Sequence, residues 1–130
     1  MRSHSYPGKL ITLEGLDGSG KTSHIKRLHA WLCQREISCV MTREPTDTLI
    51  GQVIRKGLRG EAHLSEEMLA LLFAADRLHH LAQEIIPALQ AGQWVLTDRY
   101  VLSSLAYQTT YLDEAWVQQL NKYAILPDAC

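Results

Sequence analysis

Residues 15–22 read Gly-Leu-Asp-Gly-Ser-Gly-Lys-Thr, glycines ahead of a lysine and a threonine in the spacing G-x-x-x-x-G-K-[ST]. A polyphosphate needs several backbone N–H groups aimed into one small volume, and glycine permits the curl that brings them there. Gly15, Leu16, Asp17, Gly18, Ser19 and Gly20 would make that cradle, and a helix opening near Gly20 would add its unpaired N–H groups and the positive end of its dipole. Lys21 would reach the β and γ phosphates as a point charge, and the Thr22 hydroxyl would ligate Mg²⁺. The pattern points to a nucleoside polyphosphate with Mg²⁺ and says nothing of what accepts the phosphate.

Two more patches carry chemistry. Thr42-Arg43-Glu44-Pro45 and Asp98-Arg99-Tyr100 each follow a short apolar run. If those runs are parallel strands, ligands bind beyond their carboxyl ends, so both arginines reach the mouth of the crevice that the glycine loop opens. Two arginines beside a triphosphate suit a second anion, or charge developing between two phosphates. Asp98 could orient water bound to Mg²⁺ or simply cap the helix that follows.

The elements that must hold these residues alternate strand and helix. KLITLE (9–14) is continuously apolar at its centre, as a strand buried on both faces is. Residues 20–35 follow at helical spacing, with Ile25, Leu28, Trp31 and Leu32 on one side. SCVMTRE (38–44) is a second strand, and 48–60 a helix ended by Gly57 and Gly60. Ser65 ahead of Glu66 and Glu67 predicts an N-cap for a long helix running toward Gly92, interrupted near Pro87. QWVLTD (93–98) is a third strand, with helices around 103–109 and 114–124, the latter capped by Asp113. The order implies parallel βαβ units with right-handed crossovers in one domain, residues 1–130.

Net charge is −1, so no overall field argues for a nucleic-acid or membrane partner, and any anion site must be local. Cys33, Cys39 and Cys130 are widely spaced, which suggests reduced thiols in a cytoplasmic protein. His79 and His80 lack a third ligand at metal spacing and read as surface or interface residues.

Together, GLDGSGKT, TREP, LFAADR and LTDRYVLSSLAYQ resemble bacterial thymidylate kinases in order and spacing, over essentially the whole chain. The resemblance implies a P-loop NTPase-type three-layer α/β/α fold with a parallel sheet, and transfer of the γ-phosphoryl group of ATP to dTMP. It implies that Arg99 bridges the dTMP phosphate and the transferring group, that Arg55 grips the acceptor phosphate, and that Phe73 stacks on thymine. Arg77, one turn on, would bond a thymine edge oxygen. Asp17 would face the sugar 3′-hydroxyl, Ser104 and Gln108 would lie near the base, and Tyr107 would crowd the 2′ position. Asp98 would orient Mg²⁺-bound water, and long helices over 65–91 would pair in a homodimer. On periodicity alone Phe73 is plain core, and Glu14 is a candidate brace for the Arg43 side of the crevice.

Family members are longer. The chain stops at ILPDAC, where such a sheet would carry a further strand, so it reads as an N-terminal portion without the lid arginines of the family. A rival expectation is therefore a nucleotide-binding module that turns over slowly or not at all. A kinase for a deoxynucleoside fits the Phe73/Arg77 pair less well.

Overall fold

The computed structural model describes residues 1–16 and 18–130. The apolar runs form three strands, β1 (Leu10–Leu13), β2 (Cys39–Arg43) and β3 (Trp94–Asp98). Between and after them come α1 (Lys21–Gln34), α2 (Leu49–Leu58), α3 (Glu66–His80), α4 (Ile86–Gln90), α5 (Val101–Gln108) and α6 (Glu114–Leu120), and one π-helical turn, Leu81–Ile85, joins α3 to α4.

The sheet is parallel, in the order β1-β3-β2. Side chains alternate across it and meet two separate apolar layers. Leu10 and Val95 pack with Leu81, Ile85, Leu89, Tyr100, Val101 and Ile125 on one face. Leu96 packs with Ile25 and Leu32 of α1 on the other, with Ile11, Leu13 and Trp94 beside them. This is the three-layer arrangement. The strand register sets Leu13 opposite Asp98 and Asp98 opposite Arg43. The three strands thus end in one row, and the glycine loop, Asp98-Arg99-Tyr100 and Glu44-Pro45 all leave from it.

Ser65 caps α3 as expected, its hydroxyl accepting from the Met68 N–H at 3.1 Å. Two local expectations change, at Gly57 and Asp113. Gly57 lies within α2 rather than ending it, because a Cβ there would meet Leu64 Cδ1 at 2.3 Å; the chain turns at Gly60 instead. The interruption near Pro87 takes the form of the π turn just before it, which accommodates the missing proline N–H. Asp113 occupies the N-cap position of α6, but its side chain makes no capping bond. The outer edge of β1 is partly occupied: Asp128 donates its N–H to the Leu10 carbonyl at 2.8 Å, and Thr12 donates to the Ala129 carbonyl at 3.0 Å.

Candidate functional site

The glycine loop turns into α1 through two residues in the left-handed region, Gly18 (φ 77°) and Gly20 (φ 86°), where a side chain would strain the backbone. Gly18, Gly20, Lys21, Thr22 and Ser23 then form one wall of a crevice of about 440 Å³. The opposite wall carries Arg43, Arg55 and Arg99. Four cations therefore surround a space that two acids, Glu44 and Asp98, also border, a local anion site in a chain of net charge −1.

Within the crevice, Lys21 Nζ lies 3.2 Å from Asp98 Oδ1, an ion pair without directed hydrogen-bond geometry. Thr22 and Asp98 offer two oxygen donors there, the hard type that Mg²⁺ takes alongside water and phosphate oxygens. Among the described residues no group of three or more His, Cys, Asp or Glu could hold a metal by itself. Arg55 donates to the Pro45 carbonyl and lies 3.4 Å from Asp47, which also takes a 2.8 Å bond from Arg43. The Arg43 and Arg55 guanidinia hold the Asp47 carboxyl below the usual carboxylate range.

Arg99 is the one residue of the Asp-Arg-Tyr patch with positive φ, 71°. That conformation costs a non-glycine residue about 1–3 kcal/mol and has to be over-determined by its surroundings. Here the Arg99 N–H donates to the Leu13 carbonyl at 2.9 Å, and Thr97 Oγ1 donates to the Arg99 carbonyl at 3.0 Å. The Arg99 guanidinium also faces the Tyr107 ring, 5.6 Å from its centre.

A second cavity, about 390 Å³, opens beside the crevice and shares Arg99, Glu44 and Pro45 with it. Phe73, Arg77, Tyr100, Ser104, Tyr107 and Gln108 line it. Phe73 is half-buried and belongs to neither apolar layer, so it is cavity wall rather than the plain core that periodicity alone favoured. Gln108 is 6% exposed, and its side-chain oxygen has no partner among the described residues, leaving a buried acceptor at the cavity. Of the residues expected at the site, Asp17 lies outside the described residues, and Gly15, Leu16 and Ser19 line neither space; Gly18, Gly20, Lys21, Thr22, Arg55, Asp98 and Arg99 line the crevice, and Phe73, Arg77, Arg99, Ser104, Tyr107 and Gln108 line the cavity.

The base of the cavity is an ionic network. Arg77 donates from Nε to Glu44 at 2.9 Å, from Nη1 to Asn121 at 2.6 Å and from Nη2 to Ser104 at 3.1 Å. Glu44 also takes a bond of 3.0 Å from His80 Nδ1, and Asp76 anchors the Thr46 N–H at 2.8 Å. His80, expected as a surface or interface residue, is instead 2% exposed within the chain, whereas His79 is exposed. Its three-residue spacing from Arg77 on α3 was the available signal. Glu44 and Asn121 were likewise missed, since their partners are far away in sequence. Glu14 does not brace the Arg43 side: it accepts a bond from Ser103, at the start of α5, because β1 ends beside β3 and the chain leaving β3 leads straight into α5.

The family model for thymidylate kinase matches residues 13–130. The chain belongs to the thymidylate kinase family. It is 43% identical over 130 residues to a probable thymidylate kinase of Thermococcus gammatolerans, covering 93% of this chain and 62% of that one. A thymidylate kinase of Bifidobacterium longum subsp. infantis is 42% identical over 131 residues, covering 93% of this chain and 56% of the relative. The crystal structure of thymidylate kinase from Ehrlichia chaffeensis superposes with a TM-score of 0.82 at 34% identity, over 93% of this chain and 71% of that one. The chain thus spans about three-fifths of the length of the curated relatives it matches. Among thymidylate kinases, this chain supplies the glycine loop, the three-strand sheet and the paired cavities described above.

Proposed function

We propose that the protein transfers the γ-phosphoryl group of ATP to the phosphate of dTMP, giving ADP and dTDP. The observation that carries this is the junction of two adjoining cavities at Arg99: a cationic crevice on the glycine loop and a largely apolar pocket walled by Phe73 and Arg77. ATP phosphates fit the first and a nucleoside monophosphate the second, with the two phosphates meeting at Arg99.

The P–O bond between the γ-phosphorus and the β–γ bridging oxygen breaks, and a new bond forms to an oxygen of the dTMP phosphate. That acceptor is already an anion, so no strong base is needed; the chain has to quench repulsion and hold the line of attack. Lys21, Arg99 and the loop amides quench the charge, and Arg55 holds the acceptor phosphate. Thr22 and Asp98 would hold Mg²⁺, which supplies charge neutralisation to the ATP phosphates when bound. Phe73 stacks on thymine, Tyr107 crowds the sugar, and the buried Gln108 oxygen meets the ring N–H of the base. Ser104 and Arg77 fix that end of the pocket.

A homodimer through α3 fits the exposed apolar residues Met68, Leu71 and Leu78, which recur at helical spacing. A cytoplasmic setting fits the free thiols Cys33, Cys39 and Cys130. No helix among the described residues is long and apolar enough to cross a membrane. Calorimetry with dTMP, dUMP, dCMP and thymidine tests the pocket, and a coupled assay with ATP and Mg²⁺ tests the transfer. Selective dTMP binding with ADP release is the expected outcome; equal affinity for dTMP and dCMP would reject the reading.

A further inference from the structure

We propose that His80 is a positioning residue of the acceptor pocket: it fixes the Glu44 carboxylate, which in turn fixes the Arg77 guanidinium facing the base. This rests on the reading of that pocket as the dTMP site. Arg77 and Glu44 both line the pocket, whereas His80 borders the neighbouring concavity beside β2. Its effect on a nucleotide in that pocket therefore passes through Glu44.

The carboxylate of Glu44 is divided between two donors. Oε2 takes Arg77, 2.9 Å from Nε and 2.7 Å from Nη2, while Oε1 takes His80 Nδ1 at 3.0 Å. All three residues are at most 4% exposed, so water cannot substitute for a missing donor. An arginine bonded to one carboxylate oxygen still leaves the carboxylate plane free to turn. A donor on the second oxygen removes that freedom. The imidazole is itself held, with Nε2 2.7 Å from Thr42 Oγ1 and 3.4 Å from Glu84 Oε2. Thr42 lies on β2, two residues ahead of Glu44, and His80 three residues beyond Arg77 on α3. The imidazole therefore ties β2, whose end leads into Glu44, to the helix that carries Arg77 and Phe73. Misplacement of a recognition group by about 1 Å can cost on the order of a hundredfold in its effect, so such a tie bears on selectivity.

The test compares the 130-residue chain with its His80→Asn, His80→Gln and His80→Ala forms. An asparagine amide N–H stands where imidazole Nδ1 stands; a glutamine amide reaches the Nε2 position. Two readouts are taken: calorimetric titration with dTMP and, separately, ATP, and the Arg77 Nε–H resonance with its hydrogen-exchange rate in the free protein. The expected order of dTMP affinity is parent, then His80→Asn, then His80→Gln with His80→Ala, the last two weaker by roughly tenfold or more, with ATP affinity unchanged. Arg77 Nε–H exchange should quicken in the same order. Equal dTMP affinity in the Asn and Gln forms, or an Arg77 signal unmoved in His80→Gln, overturns the inference. Failure of the parent chain to bind dTMP would instead strike the functional reading, while the order of Arg77 Nε–H exchange in the free protein still decides the inference. Should His80→Ala not fold, the Asn and Gln forms still decide between the outcomes.

Discussion

The Arg77 guanidinium lies 2.7 Å from the Glu44 carboxylate, and each side chain is 2% exposed. Such a pair is a poor source of stability but a strict constraint, because removing one partner strands the other's charge. Arg77→Met should lower unfolding stability by about 3–5 kcal/mol in urea denaturation. Adding Glu44→Gln should recover part of that loss, although both single changes destabilise. Strictly additive losses would show that the two groups do not share a charge problem.

The two cavities should fail independently. Lys21→Ala should weaken ATP binding by roughly tenfold to a hundredfold, the worth of a charged hydrogen bond, and leave dTMP binding intact. Phe73→Ala should do the reverse, costing about 1–3 kcal/mol of base stacking. Calorimetric titration of each variant with each nucleotide checks the cross pattern. Loss of both ligands in either variant would mean that the cavities are one site.

Gly51 packs so closely on Thr46 that a Cβ would stand 1.8 Å from the Thr46 carbonyl oxygen. Nothing at that spot can yield except backbone, and Thr46 is itself pinned by Asp76. Gly51→Ala should therefore destabilise by at least about 1–3 kcal/mol, measured as a fall in denaturation midpoint. It should also weaken dTMP binding, since Glu44 and Pro45 stand just ahead of Thr46. A neutral Gly51→Ala would contradict the close approach.

How far the letters alone carried depends on the range of each interaction. The strands, the helix order and the Ser65 cap were legible because each rests on a local pattern of apolar spacing or capping chemistry. The crevice was legible too, since its parts leave from adjacent strand ends. The buried network was not. Glu44 meets Arg77 across 33 residues, and Asn121 meets Arg77 across 44. Nothing near His80 in sequence announces its burial; only the Arg77 spacing hints at it. Gly57 misled because a glycine that makes room for Leu64 and one that ends a helix look alike as letters.

Acid should loosen the last described turn of chain. Burial opposes the charge on Asp128, but the Leu10 N–H, His4 and Lys9 outweigh it and hold the carboxyl below its ordinary value of 3.8. A depressed carboxyl pKa adds stability above the unfolded value and loses it as pH falls through the folded one. Asp128→Ala should thus be less stable than the parent at neutral pH, with the gap closing as pH falls below the ordinary value of 3.8. Thermal melts across that range measure it; a gap that widens in acid would refute the assignment.

The π turn at Leu81–Ile85 is, in effect, one surplus residue in an otherwise regular rod. Upstream of it, α3 turns Phe73 and Arg77 toward the cavity; downstream, Ile85 and Leu89 face the sheet. Deleting a single amino acid there would let the rod wind evenly, swinging the upstream half by about 100°. The cavity wall and the buried face of the sheet are thus kept in phase by one irregular turn.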